Sequence, residues 1–119
     1  MEPRTLTITL QPDWRAALKQ AALGAAAADH YSGETLNFDS PAAFFSQLTE
    51  RRWAIVNALL GAGEVGVREL ARQLERDVKR VHEDCTALVA LGLIERNPQG
   101  RLLCPFADIH VDMHLRNAA

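Results

Sequence analysis

Arg68, Arg72, Arg76, Lys79, Arg80, His82, Arg96 and Arg101 fall within one short stretch of a 119-residue chain. Guanidinium and ammonium groups are charged hydrogen-bond donors, suited to anionic oxygens such as those of phosphate. A guanidinium fork also matches the paired acceptors on the edge of guanine. Lys79, His82, Glu83 and Thr86 recur at helical spacing with Arg80 beside them, so one helix would offer them together. Chemistry on a polyanion is therefore open to this stretch, provided that a rigid element holds it.

Other chemistries lack their residues. The chain has no Gly-rich phosphate loop, no nucleophile elbow and no carboxylate pair in a plausible cleft, and no enzyme activity or cofactor is expected. His110 and His114 are four apart, a ligand spacing on a helix. The residues around them alternate with period two, which predicts a strand and separates the pair by about 13 Å. Cys85 and Cys104 have no CxxC partners, so no metal site is predicted.

The elements that must position the basic groups are readable from periodicity. Val67 to Leu74 forms a predicted helix of about two turns, burying Val67, Leu70, Ala71 and Leu74. Glu75-Arg76 turns the chain and Asp77 caps a second helix. There Val78, Val81, Cys85, Leu88 and Leu91 make one apolar stripe, opposite Lys79, Arg80, His82, Glu83 and Thr86. Gly92 is expected to stop this helix in the left-handed conformation. Asn97-Pro98-Gln99-Gly100 then joins predicted strands Leu93–Arg96 and Arg101–Cys104 into a ribbon flanked by Arg96 and Arg101.

Upstream, Thr5 to Leu10 alternates strictly and predicts a half-buried strand. Pro12-Asp13 opens a predicted helix to about Ala28, rich in alanine, and Leu36 and Phe38 suggest a second short strand. Asp39-Ser40-Pro41 starts a short helix expected to bury Phe44, Phe45 and Leu48. Thr49 caps another, with Trp53, Val56, Leu59 and Leu60 on its apolar face. Ile109, Val111, Met113 and Leu115 predict a final half-buried strand.

Composition places these elements in one soluble core. Apolar residues make up 48% and charged residues 24%; no apolar run is long enough to span a bilayer. With no signal-like N-terminus and two cysteines, a cytoplasmic location is expected. The net charge is −2, yet residues 51 to 101 hold nine basic and seven acidic side chains, whereas residues 1 to 50 hold three and six. So modest an excess implies a dimer if phosphate is the target.

The run Val81-x3-Cys85-x2-Leu88-x2-Leu91-Gly92-Leu93-Ile94-x-Arg96 resembles the recognition helix and wing of MarR- and ArsR-like winged helix-turn-helix regulators. In that family the helix typically ends in Leu-Gly-Leu-Ile and an Arg follows in the wing. Leu48 to Leu60 and Val67 to Arg96 together resemble small prokaryotic winged-helix DNA-binding proteins. Members of this group are often regarded as transcriptional regulators, some as antitoxin partners of small toxins. The resemblance implies DNA contact at Lys79, Arg80 and His82, with wing support from Arg96 and Arg101. Glu83-Asp84 departs from it, being acidic where many such helices carry basic or neutral groups.

The expected architecture is α+β, mainly helical: a winged helix-turn-helix over 49–104. An N-terminal strand, Ala-rich helix and Phe-rich segment (1–48) serve packing or dimerisation, and a C-terminal strand extension covers 105–119. The expected function is sequence-specific binding of double-stranded DNA by a homodimer. Lys79, Arg80, His82 and Thr86 face bases; Arg76, Arg96, Arg101 and one of Arg68 and Arg72, with Arg72 favoured, face phosphates. The bland alternatives are solvated charges at Arg68, Arg72, Lys79, Arg80 and His82, and a salt bridge from Glu83 to Lys79 or Arg80 in place of a hydrogen bond accepted from cytosine N4. Two other functions stand beside this one. An antitoxin would add its terminal strands to the sheet edge of a small toxin, and a winged helix can bind protein only.

Overall fold

The computed structural model describes residues 3–12 and 33–114. The predicted Ala-rich helix from Asp13 to Ala28 and the predicted strand residue Leu115 lie outside them. Among the described residues the fold is α+β, with four helices and two small sheets. No helix there is long and apolar enough to cross a membrane. The chain divides into two compact units, Met1–Gln47 with Phe106–Ala119, and Leu48–Pro105.

The first unit is built on strands β1 (Thr5–Leu10), β2 (Glu34–Phe38) and β5 (Asp108–Asp112), ordered β2-β1-β5 and all parallel. The alternation in β1 holds at Leu6 and Ile8, which are buried, while Thr5, Thr7 and Thr9 are half-buried; Leu10, on the same face at the strand's end, is half-buried too. Being central, β1 has both hydrogen-bonding edges occupied, which removes it as a strand for a partner to extend. Arg4 closes one end, its guanidinium forking onto Glu34 at 3.0 and 2.7 Å and lying over the Phe106 ring. Asn37 binds Thr9 and the backbone of Gln11 at the other.

Helix α1 (Pro41–Gln47) follows β2, with the Ser40 hydroxyl accepting from the Ala43 amide. Phe44 is buried and meets Phe38 edge to face. Phe45, expected in the core, is 59% exposed. Successive helical residues point about 100° apart, and Phe44 already takes the direction of the sheet. Ile109 is only half-buried and Val111 is exposed, because among the described residues β5 has a neighbouring strand on one side alone.

The second unit holds α2 (Glu50–Leu59), α3 (Val67–Leu74), α4 (Val78–Leu91) and a ribbon of β3 (Glu95–Arg96) against β4 (Leu102–Leu103). Thr49 and Asp77 cap α2 and α4 as their types predict. Its core is Leu48, Ile55, Val56, Leu59, Val65, Leu70, Ala71, Val81, Cys85, Leu88, Leu93, Ile94 and Leu102. Six expected core positions lie nearer the surface, among them the half-buried Trp53. Val67, Leu74 and Leu91 are half-buried, and Val78, the first residue of α4 and so at its rim, is exposed. Leu60 is exposed because the backbone leaves the helix there.

Gly92 ends α4 at φ 86°, and the Leu93 amide reaches back to the Leu88 carbonyl at 3.1 Å. That reversal drives Leu93 and Ile94 into the core as a buried corner, so the strand expected from Leu93 begins only at Glu95. The ribbon is correspondingly short, but Leu102 also exchanges two 2.8 Å backbone bonds with Val65. A Cβ at Gly92 would meet nothing within 4 Å, so a substitution there tests backbone conformation alone. Gly92→Ala is expected to lower unfolding free energy by about 1 kcal/mol in urea titrations. An unchanged midpoint would contradict the left-handed stop.

Candidate nucleic-acid interface

The side chains that α4 offers are decided by its rotation about its own axis. Val81, Cys85 and Leu88 are fully buried on one side. Lys79, Arg80, His82, Glu83 and Thr86 are exposed on the other, as the stripe predicts. Lys79, Arg80 and His82 make no ion pair or side-chain hydrogen bond among the described residues. Glu83 makes none either, so the expected bridge to Lys79 or Arg80 is absent. Asp77 does not neutralise Arg80; its carboxylate accepts from the Arg80 amide at 3.2 Å. The Thr86 hydroxyl donates to the His82 carbonyl one turn back.

Asp84, the apparent misfit in a basic helix, points inward and accepts from two arginines. Arg52 of α2 approaches at 3.1 Å, and Arg76 of the α3–α4 turn at 2.8 Å. Burial by itself raises the Asp84 pKa. The hydrogen bonds and charges of Arg76 and Arg52 outweigh it and hold the carboxyl below its ordinary value of 3.8. Arg76 was expected on the phosphate-facing side, but its side chain is 17% exposed and clamped to Asp84. One of its nitrogens, Nη1, is buried without a hydrogen-bond partner. Arg76 is a strut between helices, not part of the exposed basic face.

The remaining cations vary in freedom. Arg68 is exposed and Arg72 is paired with Glu69 on the same helix. Arg96 is exposed on β3. Arg101 is exposed too, but one nitrogen donates to the Glu64 carbonyl at 3.0 Å. Asn97 ties the ribbon turn together, accepting from the amides of Gln99 and Arg101 and donating to the Glu64 carboxylate. Arg52, Asp84 and Glu64 were missed as positioning groups. Asp84 carried a usable signal: three residues after Val81 and four before Leu88, it must lie on the flank of the buried stripe.

Cys85 is not a chemical group of this surface. Burial pushes its thiol up to about 11, with Arg96 opposing the shift, so it stays protonated and inert near neutrality.

A family model, HVO_A0114, matches residues 47–111, more than half of the chain. The chain belongs to the HVO_A0114 family. The HVO_A0114 match runs from the last residue of α1 through α2, α3, α4 and the ribbon to the penultimate residue of β5. It therefore includes the exposed basic face of α4 and the Arg52–Asp84–Arg76 clamp. Neither the curated proteins nor the solved structures contain a match.

The clamp makes a pH-dependent claim. A carboxyl whose pKa falls on folding adds stability above its unfolded value, and that stability is lost as pH drops through the folded value. Asp84→Asn is expected to destabilise the chain by about 2 kcal/mol at pH 7, since two half-buried guanidinium groups lose their counter-charge. The deficit should begin to shrink as pH falls below about 4, where the unfolded carboxyl takes up its proton, and vanish only at lower pH, once the folded carboxyl is neutral too. Urea midpoints of the two proteins at both pH values measure this, and a constant gap would contradict it.

Proposed function

We propose that this chain is a sequence-specific double-stranded DNA-binding regulator of the winged helix-turn-helix type, acting as a dimer. One observation carries the reading: Lys79, Arg80 and His82 stand exposed and uncommitted at the start of α4, while Val81, Cys85 and Leu88 anchor its other side without exposure. A groove-reading helix needs both halves of that description. The positive end of the helix dipole adds to the cations at the same end. Helix α3 precedes α4 through a short turn, and a two-stranded ribbon with Arg96 and Arg101 follows it.

In this reading Lys79, Arg80, His82 and Thr86 meet base edges. Arg68, Arg72, Arg96 and Arg101 meet phosphates, with Arg72 exchanging Glu69 for a phosphate oxygen. Arg76 contributes indirectly by fixing the α3–α4 turn. The net charge of −2 makes a single copy a weak polyanion binder, and a two-fold dimer presents two such helices to successive major grooves.

Selection of bound duplexes from a random pool should return a near-palindrome with half-sites about one helical turn apart. Arg80→Ala is expected to weaken binding to that site by about 1–3 kcal/mol and relax preference at one base pair. Arg101→Ala should weaken all duplexes alike and reduce the slope of log affinity against log salt by about one. Failure to shift any duplex at low salt would refute the reading.

A further inference from the structure

The outer edge of β5 carries side chains that prescribe their own partner. Among the described residues β5 pairs only with β1. The register sets Ile109 beside Leu6 and Val111 beside Ile8, so both continue the apolar face of the sheet to its rim. There Val111 is left 38% exposed. Asp108, His110 and Asp112 stand beside Thr5, Thr7 and Thr9 on the opposite face. His114 joins them, its Nε2 lying 2.9 Å from Asp112. An edge with an exposed apolar residue and unpaired backbone groups is a template for another strand. The other edge, β2, differs, because Glu34 is forked by Arg4 and Asn37 is held by Thr9 and Gln11.

The sequence Asp108-Ile-His-Val-Asp-Met-His114 is complementary to its own reverse. Two copies laid antiparallel with Val111 on the two-fold axis set Asp108 opposite the partner's His114 and His110 opposite the partner's Asp112. On the other face Ile109 meets the partner's Met113, and Val111 meets the partner's Val111. Every polar pair is then an acid with an imidazole, and every apolar pair is apolar on both sides. Directly opposite residues are the unit of stabilisation in such ladders. A two-residue shift of register, centred on His110, would oppose Asp108 to the partner's Asp112 twice, so charge selects between the two.

We propose that a second copy of this chain docks antiparallel on the outer edge of β5, centred on Val111, to make one continuous six-stranded sheet. The two-fold axis makes each contact occur twice, as a closed dimer requires. The pairing carries the extended backbone of β5 through Met113 and His114 and covers Val111. This deepens the dimeric reading above by naming its interface, yet its chemistry needs no duplex.

Sedimentation equilibrium of the full chain without DNA is expected to show a dimer. His110→Asp opposes like charges at both symmetry-related positions and should raise the dimer dissociation constant about tenfold or more. Adding Asp112→His exchanges the two groups and should restore the constant to within about threefold of the parent. Val111→Lys, which faces itself across the axis, should leave a folded monomer by circular dichroism. A parent chain that sediments as a monomer, or a double exchange no tighter than His110→Asp alone, overturns the proposal. Duplex binding by the same proteins separates the two ideas. A dimer that obeys the exchange but shifts no DNA sinks only the groove reading, and a DNA binder indifferent to it sinks only this interface.

Discussion

The constraint behind everything on the exposed side of α4 is the fixing of that helix in rotation. A helix presents whichever side chains its buried stripe leaves outward, and a turn of about 100° would exchange one set for the next. Three fully buried residues, Val81, Cys85 and Leu88, set the angle through packing. Asp84 sets it again through charge, held by Arg52 from α2 and Arg76 from the turn before α4. Packing alone tolerates small rotations, whereas a carboxylate shared by two guanidinium groups has little freedom to move.

The clamp redistributes the charge that composition alone suggests. A basic excess in residues 51 to 101 reads as a single patch, but the arginines in it have different assignments. Arg52 and Arg76 neutralise Asp84, Arg72 neutralises Glu69, and Arg101 holds the Glu64 carbonyl. What stands free at the start of α4 is narrower and better placed. The acidic Asp84, which weakens the chain's likeness to basic recognition helices, is absent from that outer surface. Glu83 remains on it, unpaired among the described residues, and its negative charge limits non-specific attraction to polyanions.

Local signals made most elements legible, and tertiary context decided the remainder. Strand β1, helix α3 and the caps at Thr49 and Asp77 follow from alternation, period and residue type, so they appear where expected. The misplaced positions share a cause. Phe45, Leu60, Val78 and Val111 have the right type for a core, but their burial depends on what lies opposite, and periodicity carries no information about that. Leu93 and Ile94 have strand propensity and instead form a corner, because the Gly92 reversal aims them inward. The Arg76–Asp84 pair spans a turn between elements, so no helical spacing announces it. Parallel pairing of β1 with β5 was invisible for the same reason, the partners being about a hundred residues apart.

That separation orders how the molecule can be made. Leu48–Pro105 is one continuous segment, with caps, turns and a core of its own. The sheet that flanks it in sequence needs residues from both sides of that segment, since β1 lies between β2 and β5. During synthesis β1 can gain β2 early, but its second edge waits until Asp108–Asp112 leave the ribosome. Closing so large a loop is entropically costly for a flexible chain, and prior compaction of the intervening segment shortens the distance to be bridged. A chain stalled before Phe106 would therefore hold β1 open along one side.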